Sequence, residues 1–183
     1  MKVFVEIGCA DFATCEPLLE NGWRGVFVEP VPKYAKYLRE KTAGKDAVVV
    51  EAAVSDFNGE APFLVSTALD NWVRGISHLD TPTHKGNKLL LLEANKSFLA
   101  ERITVQCMTL DTLLREQGIA HVDFMKIDAE GHEINILSDY SWRVCPNFLR
   151  IEHKHIDDVL LTNILQAHGY MTWTERDDLY AVC

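Results

Sequence analysis

The densest run of reactive side chains is Lys126-Ile127-Asp128-Ala129-Glu130-Gly131-His132-Glu133. It places four titratable groups in the six residues that follow the apolar stretch Val122 to Ile127. Such crowding at the end of a buried strand is where acids, bases and cation ligands are found. A histidine works near neutral pH with little tuning, so His132 and Asp128 are the candidate catalytic bases, with His153 and His78 behind them. A surface-facing helix position is the competing reading of His132. Glu130 and Glu133 stand i,i+3 on a helix predicted from about Glu130 to Leu137 and share its face. Acidic residues also suit a helix start for structural reasons alone. A second strand end, Arg150-Ile151-Glu152-His153-Lys154-His155, brings Glu152 beside Asp128 if the two strands are neighbours. Two carboxylates there hold a divalent cation such as Mg²⁺ through hard oxygen ligands, orient a substrate hydroxyl, or pair with Lys126 or Arg150.

Three strand ends nearer the N-terminus suit a ligand of a different kind. The first reads Glu6-Ile7-Gly8-Cys9-Ala10-Asp11-Phe12. Gly8 lets the chain turn tightly and approach a ligand, but the second and third glycines of a pyrophosphate cradle are missing. A ligand without phosphates does not need them. The second reads Val28-Glu29-Pro30, and Glu29 follows Glu6 by 23 positions. An acidic residue about 20 positions beyond the first turn can accept both ribose hydroxyl protons; a solvated charge at a strand end is the plainer reading. The third, Ala53-Val54-Ser55-Asp56, suits the flank of an adenine ring or an ordinary strand boundary.

These ends must be held by alternating strands and helices. Val3 to Ile7, Gly25 to Val28, Val48 to Val54, Ile103 to Met108, Val122 to Ile127 and Phe148 to Ile151 read as strands. Thr14 to Asn21, Lys33 to Lys41, Leu110 to Gln117 (capped by Thr109) and Asp157 to His168 read as helices. Continuous apolar strands between helices predict a parallel sheet covered on both faces. Ala61 to Val65 is a further candidate strand, and residues 66–100 form a polar insertion that ends in a candidate helix over Lys88 to Leu99. Trp72, Arg74, Ser77, His78 and His84 of that insertion can form an acceptor pocket: Trp72 by stacking on a sugar face, Arg74 by gripping a phosphate or carboxylate. Tyr170 to Thr174 and Leu179 to Val182 form a closing hairpin. The expectation is one α/β domain over 1–183 with a doubly wound, Rossmann-like, mostly parallel sheet, a C-terminal antiparallel hairpin and a substrate lid at about 66–100. That hairpin is unusual in nicotinamide-dependent oxidoreductases and expected in the nucleoside-binding fold that carries S-adenosylmethionine (SAM).

Composition bounds the alternatives. The 183 residues are 48% apolar and 25% charged, ordinary globular values. The balance of 18 basic against 27 acidic residues gives −9, which argues against nucleic-acid binding and against anionic membrane surfaces. Five cysteines without C-x-x-C spacing argue for a reducing, cytoplasmic setting rather than disulfides or zinc. Cys183 closes a strand near a sheet edge, where a homodimer can form.

The segments VFVEIGCADF, GVFVEPVP, VVVEAAVSD, ITVQCMTLDTLL, VDFMKIDAEGHEINIL, FLRIEHK and HGYMTWTERDDLY fall in the order found in FkbM-type SAM-dependent methyltransferases. The resemblance covers about Val3 to Val182, and KIDAEGHE with the upstream Glu29-Pro30 dipeptide is its most specific part. It implies O-methylation of a hydroxyl on a sugar, glycan or small metabolite, with SAM as donor. It also implies that Glu6, Gly8 and the loop Cys9, Asp11 and Phe12 face the methionine end of SAM. Glu29, next to Pro30, would bind the ribose, Val54 and Ser55 would border the adenine, and Asp128 would lie near the methyl. Glu152 and His153 join the catalytic set, and Glu130 the acceptor site. Two departures stand out. Ala10 replaces an asparagine and Phe12 a second glycine of the first loop, leaving Asp11 to make a polar contact. No N-terminal extension of the kind many methyltransferases lay over their substrate is present, so residues 66–100, another subunit or another domain would grip the acceptor. A non-catalytic SAM-binding or assembly module and a nicotinamide-dependent oxidoreductase are the rival expectations.

Overall fold

The computed structural model describes residues 1–67, 77–80 and 100–183. Its main sheet has seven strands. Val3–Ile7 (β1), Arg24–Val28 (β2), Ala47–Val50 (β3), Phe124–Ile127 (β8) and Phe148–Glu152 (β9) are parallel, and Asp178–Val182 (β11) and Met171–Glu175 (β10) complete it in the order β3-β2-β1-β8-β9-β11-β10. Only β11 runs against its neighbours, pairing antiparallel with both β9 and β10. The expected parallel sheet and closing hairpin are therefore observed. The register sets Val5 against Val26 on one side and Met125 on the other, with Leu149 beyond.

Alternation of side chains along these strands builds two cores. Val5, Val26, Met125 and Leu149 bury against Leu110–Glu116 (α3), Glu133–Asp139 (α4) and Asp158–Ala167 (α5). Phe4 and Phe27 point to the opposite face, edge to face at 5.2 Å, and meet Leu19 of Glu16–Glu20 (α1) and Leu38 of Pro32–Lys41 (α2). Burial on both faces is why these strands read as unbroken apolar runs. Capping follows the sequence: the Thr109 hydroxyl accepts from the Thr112 amide, and the Asp157 carboxylate accepts from the Val159 and Leu160 amides.

A second sheet departs from the sequence reading. Val48 to Val54 is not one strand; it breaks after Val50, and Ala53–Ser55 (β4) leaves the main sheet. β4 pairs in parallel with Ala100–Thr109 (β7), which pairs antiparallel with Gly59–Ser66 (β5), and β5 with His78–Leu79 (β6). The physical reason is competition for partners. β3 is the sheet's edge, whereas three residues later β7 offers a full ladder to Ala53, Val54 and Ser55. Ala53, Phe63, Val65, Leu79 and Val105 pack there with Val31 and Tyr34 at the start of α2. Trp72, Arg74, His84 and the candidate helix over Lys88 to Leu99 lie outside the described residues. Among the described residues no helix is long and apolar enough to cross a membrane.

Candidate active site

The carboxyl ends of β1, β2 and β8 are knitted together by backbone. The Gly8 amide donates to Val28 O at 3.0 Å, and the Asp128 amide donates to Ile7 O at 3.0 Å. Gly8 has φ +77°, and a Cβ there would lie 1.7 Å from the Asp128 carbonyl oxygen. A glycine is required by strand geometry alone. Above this seam opens a cleft walled by the main sheet on one side and by Ala52, Val54, Phe63 and Leu79 on the other.

Two buried glutamates shape the first loop. Glu6 is fully buried. Its Oε1 accepts from the amide and the hydroxyl of Thr14, both at 2.8 Å, and its Oε2 from the Cys15 amide at 3.0 Å. Glu6 thus holds the loop and is not among the residues that line the cleft. Glu29, 3% exposed, does line it. Its Oε2 accepts from the Ala10 amide at 2.6 Å and its Oε1 from the Val31 amide at 2.8 Å. Each oxygen keeps a second lone pair, so the carboxylate can still accept from a pair of adjacent hydroxyls. Burial pushes its pKa up to about 7, against the opposing pull of the Val31, Ala10 and Cys9 amides. Ala10 reaches Glu29 through a left-handed backbone, φ +44°, a conformation asparagine adopts more readily.

Lys126 joins the first loop to the fourth parallel strand. Its ammonium lies 3.1 Å from Asp128 Oδ2 and 3.5 Å from Glu6 Oε1. Burial works against that charge, but Asp128 and Glu6 outweigh it and raise the lysine's pKa. Removing one partner of a buried charge cluster typically costs about 3–5 kcal/mol. Lys126→Met is therefore expected to lower the melting temperature by more than about 6 °C, taking about 2–4 °C per kcal/mol for a chain of this size. Thermal unfolding followed by circular dichroism checks this, and a change below 2 °C would remove the cluster's structural role.

The loop after β8 differs from expectation. The helix begins at Glu133, not Glu130. Glu130 has φ +50° and Gly131 φ +98°, so Glu130 and Glu133 do not share a helix face. Glu133 is buried and turns back to accept from the amides of Ala129 at 2.7 Å and Gly131 at 3.0 Å. It fixes the loop, while burial pushes its pKa up against the pull of the Glu133 and Ala129 amides. His132 is buried rather than surface-facing, lines the cleft, and sets Nε2 2.8 Å from the Ser55 hydroxyl. Ser55 donates to Asp56, which also accepts from Asn135 at 3.2 Å. His132 is thereby anchored on the β4 side of the cleft. At the end of β9, Glu152 follows Ile151, the register partner of Ile127, and so lies beside Asp128 as expected; it also meets Glu130 and His155 as a group with converging ligand atoms. Burial, then the charge of Asp128, pushes the carboxyls of Glu130 and Glu152 up.

Of the residues singled out from sequence, Gly8, Cys9, Phe12, Glu29, Pro30, Val54, Ser77, Asp128, Glu130 and His132 line the cleft. Asp11, Ser55, His78, Glu152 and His153 are not among the lining residues. Sequence reasoning missed Tyr34, Phe63, Leu79 and Lys126 as lining residues. The signal for Tyr34 was its place with Ala35 and Leu38 on the buried face of α2.

A family model described as the methyltransferase FkbM domain matches residues 3–171. No curated protein sequence matches the chain. Among solved structures, a SAM-dependent methyltransferase from Leishmania major is similar to it, with 11% sequence identity and a TM-score of 0.45 over 100% of this chain and 63% of that one. The chain thus spans less than two thirds of that relative's length.

Proposed function

We propose, from the premise that the chain belongs to the FkbM family of SAM-dependent methyltransferases, that it transfers the methyl group of SAM to a hydroxyl of a sugar, glycan or small metabolite. The observation that carries the reading is the cleft itself. The doubly amide-anchored carboxylate of Glu29, fit for a ribose diol, and the carboxylate of Asp128 line one cavity above the Gly8 seam. No pyrophosphate cradle accompanies them in the sequence, which disfavours a nicotinamide cofactor. Ala53, Val54 and Phe63 give that cavity an apolar wall for a purine.

SAM supplies a methyl carbon activated by its sulfonium; the acceptor oxygen bonds to that carbon as the carbon–sulfur bond breaks and its electron pair goes to sulfur. The chain's part is alignment, which contributes up to about 7–11 kcal/mol in well-oriented reactions, and removal of the hydroxyl proton. Asp128 accepts that proton, and Lys126 at 3.1 Å holds its carboxylate in place. His132 serves the β4 side of the cleft, because Ser55 engages its Nε2. The Mg²⁺ expected from sequence on Asp128 and Glu152 has a weaker basis, since Asp128 is paired with Lys126 and Glu152 lies with Glu130 and His155.

Incubation with methyl-labelled SAM and a panel of hydroxyl acceptors tests the reading. Asp128→Asn is expected to lower turnover about 10²-fold or more, the scale of a positioned base, with the dissociation constant for SAM changed less than about threefold. Bound SAM with no methyl transfer to any acceptor would instead make this a SAM-binding module.

A further inference from the structure

We propose that Glu130, Glu152 and His155 bind a divalent first-row transition ion of the Mn²⁺ to Zn²⁺ range at the wall of the cleft. Three chain segments bring these side chains together: the loop after β8, the end of β9 and the turn before α5. Their candidate ligand atoms all lie within 4.8 Å of one another. The site is not an open acidic surface, since the side chains of His155 and Glu130 are 4% and 13% exposed. Glu130 Oε2 approaches His155 Nε2 to 3.2 Å. Yet that oxygen, itself sealed from solvent, receives no hydrogen bond. The Glu130 oxygen, the His155 nitrogen and a Glu152 oxygen converge as ligands to a common ion do.

Charge points the same way. Buried charges are paired or coordinate metals. The nearby ammonium groups are committed, Lys126 to Asp128 and Glu6, and Lys154 to Asp177 at 3.6 Å. The His155 imidazole is the cationic group in contact with Glu130, and Lys154 and Lys126 act on these carboxylates through space. The donor set also chooses the ion. An imidazole nitrogen suits zinc, iron or nickel, whereas magnesium takes oxygen ligands and water. Three protein ligands leave positions for water or an acceptor hydroxyl, and an ion there would acidify that hydroxyl. This last role rests on the methyltransferase reading; ion binding does not.

The test uses the intact chain, stripped with chelator and dialysed. Mn²⁺ is titrated by the loss of its free-ion electron paramagnetic resonance signal, and Zn²⁺ and Mg²⁺ by calorimetry. One equivalent of Mn²⁺ and of Zn²⁺ is expected, each at least tenfold tighter than Mg²⁺, with Zn²⁺ tighter than Mn²⁺. His155→Ala and Glu152→Gln should each weaken Mn²⁺ at least tenfold while the dissociation constant for SAM stays within about threefold. Should the variants fail to fold, Mn²⁺ should still selectively broaden the nuclear resonances of Glu130 and His155 in the unaltered chain. The site is overturned by no saturable binding below millimolar ion, by binding unchanged in both variants, or by broadening elsewhere. Ion binding without methyl transfer would sink the function and leave the site; undiminished methyl transfer with no ion bound would do the reverse.

Discussion

Glu29→Gln is expected to weaken the binding of SAM and of S-adenosylhomocysteine alike by about 10- to 100-fold. Both ligands carry the same ribose, so a ribose contact must affect them equally. The carboxylate's two oxygens already accept from the Ala10 and Val31 amides. An amide side chain can replace only one of them; its NH₂ then faces a backbone donor, and one acceptor for the diol is lost. A hydrogen bond to a charged group contributes about 1.5–3 kcal/mol, which is about one to two orders of magnitude in affinity. Calorimetric titration, with circular dichroism to verify the fold, decides the matter. Equal affinity in the variant would remove Glu29 from the ligand site, and loss for SAM alone would place it by the sulfonium instead.

The same carboxyl gives the site a pH dependence of known sign. Burial raises its pKa to about 7 in the ligand-free protein. Below that pH it holds a proton and lacks one acceptor lone pair, so a diol that needs both oxygens must drive the proton off. Affinity therefore rises with pH toward about 7 and levels off above it, by up to about tenfold per unit on the acidic limb. Stability of the ligand-free chain runs the other way. The folded state keeps this proton longer than the unfolded one, so this group's contribution is complete below the ordinary 4.5 and is lost as pH rises through about 7.

Sequence carried the main sheet well, because β1, β2, β8 and β9 are short apolar runs buried on both faces. The strand ends that border the cleft followed, since Gly8, Glu29 and Asp128 sit where those runs stop. What was illegible depended on tertiary competition. Nothing in AVVVEAAVS announces that β7 will capture Ala53 to Ser55. Nor does i,i+3 spacing reveal that Gly131 and the left-handed Glu130 postpone the helix, so that Glu133 becomes a clamp on backbone amides and not a partner of Glu130. The same displaced turn carries Glu130 away from any helical register and toward His155. Acidic type was readable at these positions; the direction of each carboxylate was set by loop geometry.

Gly8→Ala is expected to cost more stability than its backbone angle alone explains, and a second glycine supplies the comparison. Gly8 and Gly22 have nearly equal angles, φ +77° and +74°. A left-handed alanine costs about 1–2 kcal/mol at either place. At Gly22 a Cβ would meet nothing within 4 Å, so Gly22→Ala should lower the melting temperature by only about 4 °C. At Gly8 the Cβ would lie 1.7 Å from the Asp128 carbonyl oxygen. That oxygen belongs to backbone held by the Asp128 amide's bond to Ile7, and it cannot swing aside as a flexible side chain would. The strands must part, adding about 1–3 kcal/mol of packing strain and bringing the fall to about 10 °C or more. Because the seam is also the cleft's floor, SAM binding should disappear in Gly8→Ala and persist in Gly22→Ala. Equal melting temperatures for the two variants would show that β1 and β8 separate at little cost. The floor would then be compliant, and the alignment of Asp128 over it would need another source.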